Sequence, residues 1–465
     1  MMFHRGSQYT LALAALVIPA IAGAQGFGLN EIGACAVARG FAVTSAPCED
    51  ASSIYWNPAA MPAKQGLSVL LGGASIKIDG DFTRDTTLRR YTATPPTAYV
   101  PHLFLNYGLG DFAYGIGAYV PYGLTSQWAD DFPGRFAAKK ASLQTIYVQP
   151  NISYRINSDW SIGGGPVIGH STVELIQALD LSSQFAQAGV TFGNLGIPKY
   201  TEFARARLKG SAMAYGVNLG IHGRLSPTLQ LGIRFLSQLS FDYNDADATF
   251  TPTPTGLVIA NAGPPFQVAP GTPVDALVAG QFVGSGALVS QKVATQIRHP
   301  AQVQVGLGYT GFENTTLTAE YDYVGWRSFQ SLPVNFQGPA QTSSRVLEED
   351  YNNTSAIRLG VEHRLSPGGV ALRAGFAANS SAAPPETVTP LLPEMDRETG
   401  SFGAYIPLMG SFGLDAAYSH VFTPGSRGRI DERVTGSSQA AALALNSGAY
   451  VLKANIVTLS LKLTY

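Results

Sequence analysis

Val457-Thr-Leu-Ser-Leu-Lys-Leu-Thr-Tyr465 ends the chain in unbroken alternation. Successive strand residues point to opposite faces, so Val457, Leu459, Leu461, Leu463 and Tyr465 share one side of an extended segment. Thr458, Ser460, Lys462 and Thr464 share the other. An apolar face for lipid and a wettable face for a lumen is the pattern of a membrane-spanning β-strand. A half-buried strand of a soluble sandwich alternates as well, so the choice rests on the rest of the chain.

The same rhythm recurs upstream. Ile146, Val148, Pro150, Ile152, Tyr154 and Ile156 alternate with Thr145, Tyr147, Gln149, Asn151, Ser153 and Arg155. Leu229, Leu231, Ile233 and Phe235 oppose Gln230, Gly232 and Arg234, and Leu317, Ala319, Tyr321 and Tyr323 oppose Thr318, Glu320 and Asp322. Ile357, Leu359 and Val361 likewise oppose Arg358, Gly360 and Glu362. Pro150 cannot donate to a ladder and is expected near a strand end or a bulge.

Composition points the same way. Charged residues are 13% of the 465, while Gly (51) and Tyr (21) are abundant; soluble domains carry about 25% charge. Arg5, the apolar run 11–21 and Ala22-Gly23-Ala24 read as a secretory signal peptide over residues 1–24, the competing reading being a retained anchor. Without Arg5 the chain keeps 29 Lys+Arg against 31 Asp+Glu, a balance that argues against nucleic-acid partners. No later apolar run is long enough for a spanning helix. A secreted chain with little charge and no helical span leaves the closed β-barrel, where every backbone group is paired between strands.

Connections alternate in size. Short ones fall at Leu109-Gly-Asp111, Asn157-Ser-Asp159, Ser226-Pro227, Glu313-Asn314, Ser366-Pro-Gly368 and Met409-Gly410. Long ones cover roughly 81–96, 125–139, 176–203, 246–294, 328–350, 380–395 and 423–446. Counting between them gives fourteen antiparallel strands over 66–465, with both ends on the short-turn side. Residues 25–65 show no sustained alternation and are too few to form a core of their own. They are expected inside the lumen as a hatch. Cys35 and Cys48, in an oxidising compartment, are expected to form a disulfide; the seven scattered His suggest no metal site, and no cofactor is expected.

With these features in order, the chain resembles the FadL family of outer-membrane transporters for long-chain fatty acids and, in the TodX-like branch, aromatic hydrocarbons. The pieces carrying the likeness are Gly28-Leu-Asn-Glu31, Ala38-Arg-Gly-Phe-Ala42, Asp50-Ala-Ser-Ser-Ile-Tyr-Trp-Asn-Pro-Ala59, Val120-Pro-Tyr-Gly-Leu124, 145–157 and Pro393-Glu-Met-Asp-Arg397. The resemblance implies a monomeric barrel in the bacterial outer membrane, surrounded by lipid, that passes hydrophobic small molecules passively. Ligand would be captured by outer loops, held in an inner apolar pocket (where a detergent can take its place) and released sideways through a gap at a kinked third strand.

On that likeness, Asn57, Pro58 and Ala59 form a turn filling the gap. Pro121, Tyr122 and Gly123 mark the kink; read from residues alone, they also fit the outer end of a strand. Phe27 matches the family's N-terminal aromatic in the inner pocket, the alternative being a frayed end. Leu179, Leu181, Phe185 and Phe192 in one outer loop, in a composition suited to a short amphipathic helix, and Phe266 in another, are the expected capture residues.

The family's fatty-acid branch places an Arg soon after the fifth strand, where this chain has Thr172-Val-Glu-Leu-Ile-Gln-Ala178. Arg205, Arg207 and Lys209 on one strand face are the substitutes. Arg155, Arg234, Glu320, Asp322, Arg358 and Glu362 are read as structural lumen charges. The rival functions are a general diffusion porin, which has no use for forty residues ahead of its first strand, and an outer-membrane lipid-acting enzyme. Against the enzyme, Ser419 and His420 are adjacent on a strand, face opposite ways and cannot pair.

Overall fold

The structure, a computed structural model, describes residues 26–63, 65–183, 185–187, 190–260, 268–385, 387–428 and 447–465. The expected leader, 1–24, lies outside them. Fourteen antiparallel strands close into a barrel. They are β1 (Gly66–Arg84), β2 (Ala98–Leu109), β3 (Phe112–Gln127), β4 (Lys140–Arg155), β5 (Trp160–Leu179) and β6 (Ala204–Ser226). β7 comes in two pieces, Leu229–Leu236 and Leu239–Pro252, as does β8, Gln291–His299 and Gln302–Phe312. The rest are β9 (Thr315–Val324), β10 (Thr354–Arg364), β11 (Ala371–Asn379), β12 (Arg397–Pro407), β13 (Phe412–Phe422) and β14 (Gly448–Thr464).

Closure is made by β14 on β1, in one register from Ser68↔Thr464 to Arg84↔Gly448. The quoted C-terminal alternation is realised: Thr458 and Ser460 are buried, while Leu459 and Leu461 are exposed. Exposed Leu103, Leu105, Ile116, Ile152, Leu307 and Leu359 continue the outer apolar surface around the wall. A water-soluble protein would not present so large an apolar surface; lipid accepts it.

Pro150 sits in mid-strand, not near an end or a bulge. The β4–β5 ladder runs to Val148↔Ile168 and resumes at Ile152↔Gly164 in the same register, so the missing donor is absorbed by a local interruption.

The segment 26–63 is packed against inward-facing side chains. It holds two short helices, α1 (Ala34–Ala38) and α2 (Ser53–Trp56), and Cys35 is bonded to Cys48. Ile32, Ala36, Ile54 and Trp56 are buried. Backbone groups that find no partner within the segment use the wall. The Thr44 N–H donates to Glu320 Oε2 (2.9 Å), Gln149 Nε2 donates to Ile54 O (2.8 Å) and Asn218 Nδ2 donates to Tyr55 O (3.0 Å). Wall glycines permit this closeness: a Cβ on Gly375 would lie 2.0 Å from Gly40 N.

The main charges inside the wall are ion-paired or hydrogen-bonded. Arg358 bonds Glu320 (2.9 Å) and Asp322 (2.6 Å), and Arg373, which the sequence reading passed over, bonds Glu362 and Asp415. Arg234 donates to Asn218, Gln302 and Gln304 and lies over the Tyr55 ring. Buried charges are tolerated when ion pairs or hydrogen bonds satisfy them.

Candidate functional site: an apolar cavity and a break in the wall

β3 is paired with β4 from end to end except at one bulge, but its other edge is not. The β2–β3 ladder stops at Leu103↔Ala118. Facing β4, Val120 and Pro121 together stand opposite Ile146, the register shifting between Tyr119↔Tyr147 and Tyr122↔Thr145. One extra residue bends a strand and strengthens its twist, and Pro121 has no N–H to restore pairing. Above the bend the β2-facing edge of β3 is open until Thr94 N–H donates to Gln127 O (2.8 Å) and Ala93 bridges Trp128. The result is a window in the wall.

Phe27–Leu29 occupies it. The Leu29 N–H donates to Pro121 O (2.8 Å), the Gly123 N–H donates to Phe27 O (3.0 Å), and Gly28 bridges Tyr122. The N-terminal segment thus serves as a short substitute strand. Asn57-Pro58-Ala59, expected at the gap, lies elsewhere: Asn57 donates to Thr44 O and to Ile221 O on β6, and Ala59 O accepts from Ser161 on β5. Which part of the wall this segment meets is decided by tertiary packing.

Behind the window is a cavity of about 570 Å³. Phe27, Leu29, Ile76, Val100, Leu124, Leu143, Leu392, Met395 and Ile456 line it, together with Glu31, Glu394, Arg397 and Lys453. Tyr99 and Ile146 also line it, and they are 77% and 47% exposed on the outer face, so the cavity reaches the lipid side. Glu394 holds the segment beneath it by accepting from Gly26 N–H (2.7 Å) and from Arg397 (3.2 Å); Arg397 also donates to Gly26 O (2.9 Å). Burial pushes the Glu394 carboxyl up from the usual carboxylate range, against the pull of Arg397.

Phe27 is 4% exposed and contacts four rings edge-on: Trp326 (4.7 Å between centroids), His299 (5.6 Å), Phe329 (5.6 Å) and Tyr122 (5.9 Å). Sequence reasoning missed His299 and Trp326. Their signals were His299-Pro300, which interrupts β8, and Val324-Gly325-Trp326, where the alternation of β9 ends.

The expected capture residues are not at this cavity. Leu181 and Phe192 pack with Phe203, Ile259, Val274 and Val278 in a closed cluster between two outer connections. Leu179 is half-buried at the end of β5, and Phe185 pairs with Thr191 in a small hairpin. Phe266 lies outside the described residues. In place of the expected amphipathic helix, the described part of 176–203 holds the end of β5, that hairpin and a 3₁₀ turn at Gly193–Leu195. Arg205 and Arg207 face outward and bind Glu202, Asp130 and Glu174, and Lys209 is exposed on the same face. None of the three lines the cavity. Ser419 is buried, whereas His420 faces the other way and bonds Asn455 (2.9 Å).

The model of the outer membrane protein transport protein family (OMPP1/FadL/TodX) matches residues 15–465. The chain belongs to this family. It is 24% identical over 424 residues to the long-chain fatty acid transport protein of Escherichia coli O6:H1, covering 88% of this chain and 90% of the relative. It is 23% identical over 446 residues to outer membrane protein P1 of Haemophilus influenzae, covering 89% and 90%. Among solved structures, a FadL homologue from Pseudomonas aeruginosa superposes with a TM-score of 0.78 at 20% identity, over 95% of this chain and 100% of the other. The toluene transporter TodX of Pseudomonas putida gives 0.67 at 16%, over 95% and 100%. The FadL/TodX family places the protein in the outer membrane as a transporter, and the shared fold is the fourteen-stranded barrel.

Proposed function

We propose that this protein carries weakly polar hydrophobic molecules passively across the outer membrane, from the apolar cavity sideways through the window between β2 and β3. The observation that supports this reading is the continuity of the cavity from Phe27 to lipid-facing Tyr99 and Ile146. Residues 26–63 act as the hatch, and Phe27–Leu29 is the part that must move. The barrel acts as a monomer embedded in outer-membrane lipid, and as a carrier it makes and breaks no bonds. The outer-loop cluster around Ile259 exposes its apolar surface to incoming ligand only when its two connections part.

Relatives named for long-chain fatty acids and for toluene bracket the substrates. A carboxylate buried without a paired cation is costly; Arg397 is already bonded to Glu394 and Gly26, and the other lining cation, Lys453, stands on the exposed outer face of β14. That favours neutral or weakly polar ligands. In proteoliposomes, a fluorescent apolar probe should cross much faster with the protein than without it, while steady ion conductance stays low. High conductance to ions and sugars with no preference for the apolar probe would instead make the protein a porin.

A further inference from the structure

Two of the rings that contact Phe27, and a third packed behind them, each carry a polar atom without a partner. His299 Nε2, Trp326 Nε1 and Tyr351 Oη are all buried and have no hydrogen-bond partner among the described residues. Buried donors are nearly always satisfied, so three in one cluster need a cause. They are contiguous: Trp326 and His299 both touch Phe27, and Tyr351 lies 5.8 Å from Trp326 and 5.1 Å from Phe329 between ring centroids. Gly26 is required beside them, because a Cβ there would lie 2.5 Å from the Trp326 ring.

The Phe27 side chain fills this cage with a phenyl ring held by four edge-on contacts, a geometry that reads aromatic quadrupoles as well as shape. A phenyl ring cannot hydrogen-bond any of the three orphans. An indole N–H and a phenol O–H can both donate, and the imidazole, whose Nδ1 is engaged with Tyr147 Oη (2.9 Å), can present an N–H at Nε2 when Tyr147 donates to it. The chemistry complementary to both features is one aromatic ring bearing an oxygen acceptor.

We infer that the cage occupied by Phe27 is a specificity site for monocyclic arenes carrying a carbonyl or ether oxygen, which replace the Phe27 ring and accept hydrogen bonds from His299 and Trp326. This rests on the transport reading above and narrows it. It separates the chain's preferred ligands from plain hydrocarbons, which leave the orphans unmet, and from carboxylates, which meet no cation among the cage rings.

The test compares three probes on the full chain in lipid nanodiscs, by calorimetry: acetophenone, ethylbenzene of nearly the same shape without the oxygen, and octanoate. Acetophenone should bind about tenfold more tightly than ethylbenzene, since each neutral hydrogen bond is worth roughly threefold to tenfold. Trp326→Phe and His299→Phe should each cut the ratio of acetophenone to ethylbenzene affinity at least threefold, whatever either does to the packing that both probes share. Heat-modifiable gel mobility checks that each variant is folded, and either variant suffices. Equal affinity for acetophenone and ethylbenzene, an advantage that survives both substitutions, or binding of octanoate alone would overturn the inference while leaving the transport reading in place. If none of the three binds or crosses the membrane, the transport reading itself fails.

Discussion

Gly123 gives its N–H to Phe27 O and has only a hydrogen atom where a Cβ would meet Leu29 Cδ1 at 2.8 Å. Gly123→Val therefore fills the mouth of the cavity, and the flexible Leu29 tip can shift without unseating the barrel. Uptake of an apolar probe should fall severalfold while the heat-modified gel mobility stays native; unchanged uptake in the folded variant would count against the route. A second residue gives a pH signature. Burial, with Asp350 and Glu348 adding to it, pushes the Glu349 carboxyl from 4.5 up to about 8. A raised folded value means the protonated form is the one that fits, so its contribution is full below about pH 4.5 and is lost as pH rises toward 8. Glu349→Gln should flatten the fall of the melting temperature between pH 5 and 8 relative to the parent, as read by circular dichroism. Phe27 was singled out by the family likeness, and Pro121 and Gly123 by that likeness together with two local features, a missing donor and a missing Cβ. His299 and Trp326 were not, since their importance lies in which rings the fold brings together.

Among the elements, β3 and the hatch are coupled more closely than alternation suggests. The register shift of β3 falls between Tyr119 and Tyr122, beside the expected kink, and the segment that bonds to that edge is Phe27–Leu29. Asn57-Pro58-Ala59 secures the far side of the hatch, where Asn57 Nδ2 serves Thr44 O (2.8 Å) and Ile221 O (3.0 Å). Leaving those carbonyls unmet costs about 1–3 kcal/mol each. Asn57→Ala should thus raise hydrogen exchange in residues 44–60 with little change in the barrel strands. Exchange unaltered in that stretch would mean the corner does not hold the hatch. Strand ends were also misjudged. β5 and β7 run to Leu179 and Pro252 and β8 starts at Gln291, consuming edges of the connections read as 176–203 and 246–294, whereas β6 starts at Ala204, where the first of these was read to end. The break after Leu236 reverses which positions face inward, burying Phe241 and Tyr243. Period-2 patterning identifies a strand but not a phase change within it.

For the whole molecule, alternation and turn spacing were enough to give strand number, closure and compartment, because lipid demands paired backbone and an apolar exterior from every strand. A plugged lumen should show little steady current in planar bilayers, and deletion of residues 26–63 should open a large conductance. Similar currents from both would show that the segment does not block the bore. The central claim is that Phe27–Leu29 must leave the β3 edge for ligand to pass. Gly28 and Tyr122 form a non-hydrogen-bonded antiparallel pair, whose Cα atoms lie about 4.5 Å apart, within disulfide reach. Apolar-probe uptake by the Gly28→Cys/Tyr122→Cys protein, oxidised and then reduced, with the parent protein under the same reductant as control, tests it most directly. The account predicts uptake at least tenfold lower when oxidised and recovery on reduction; equal uptake in the two states would contradict it.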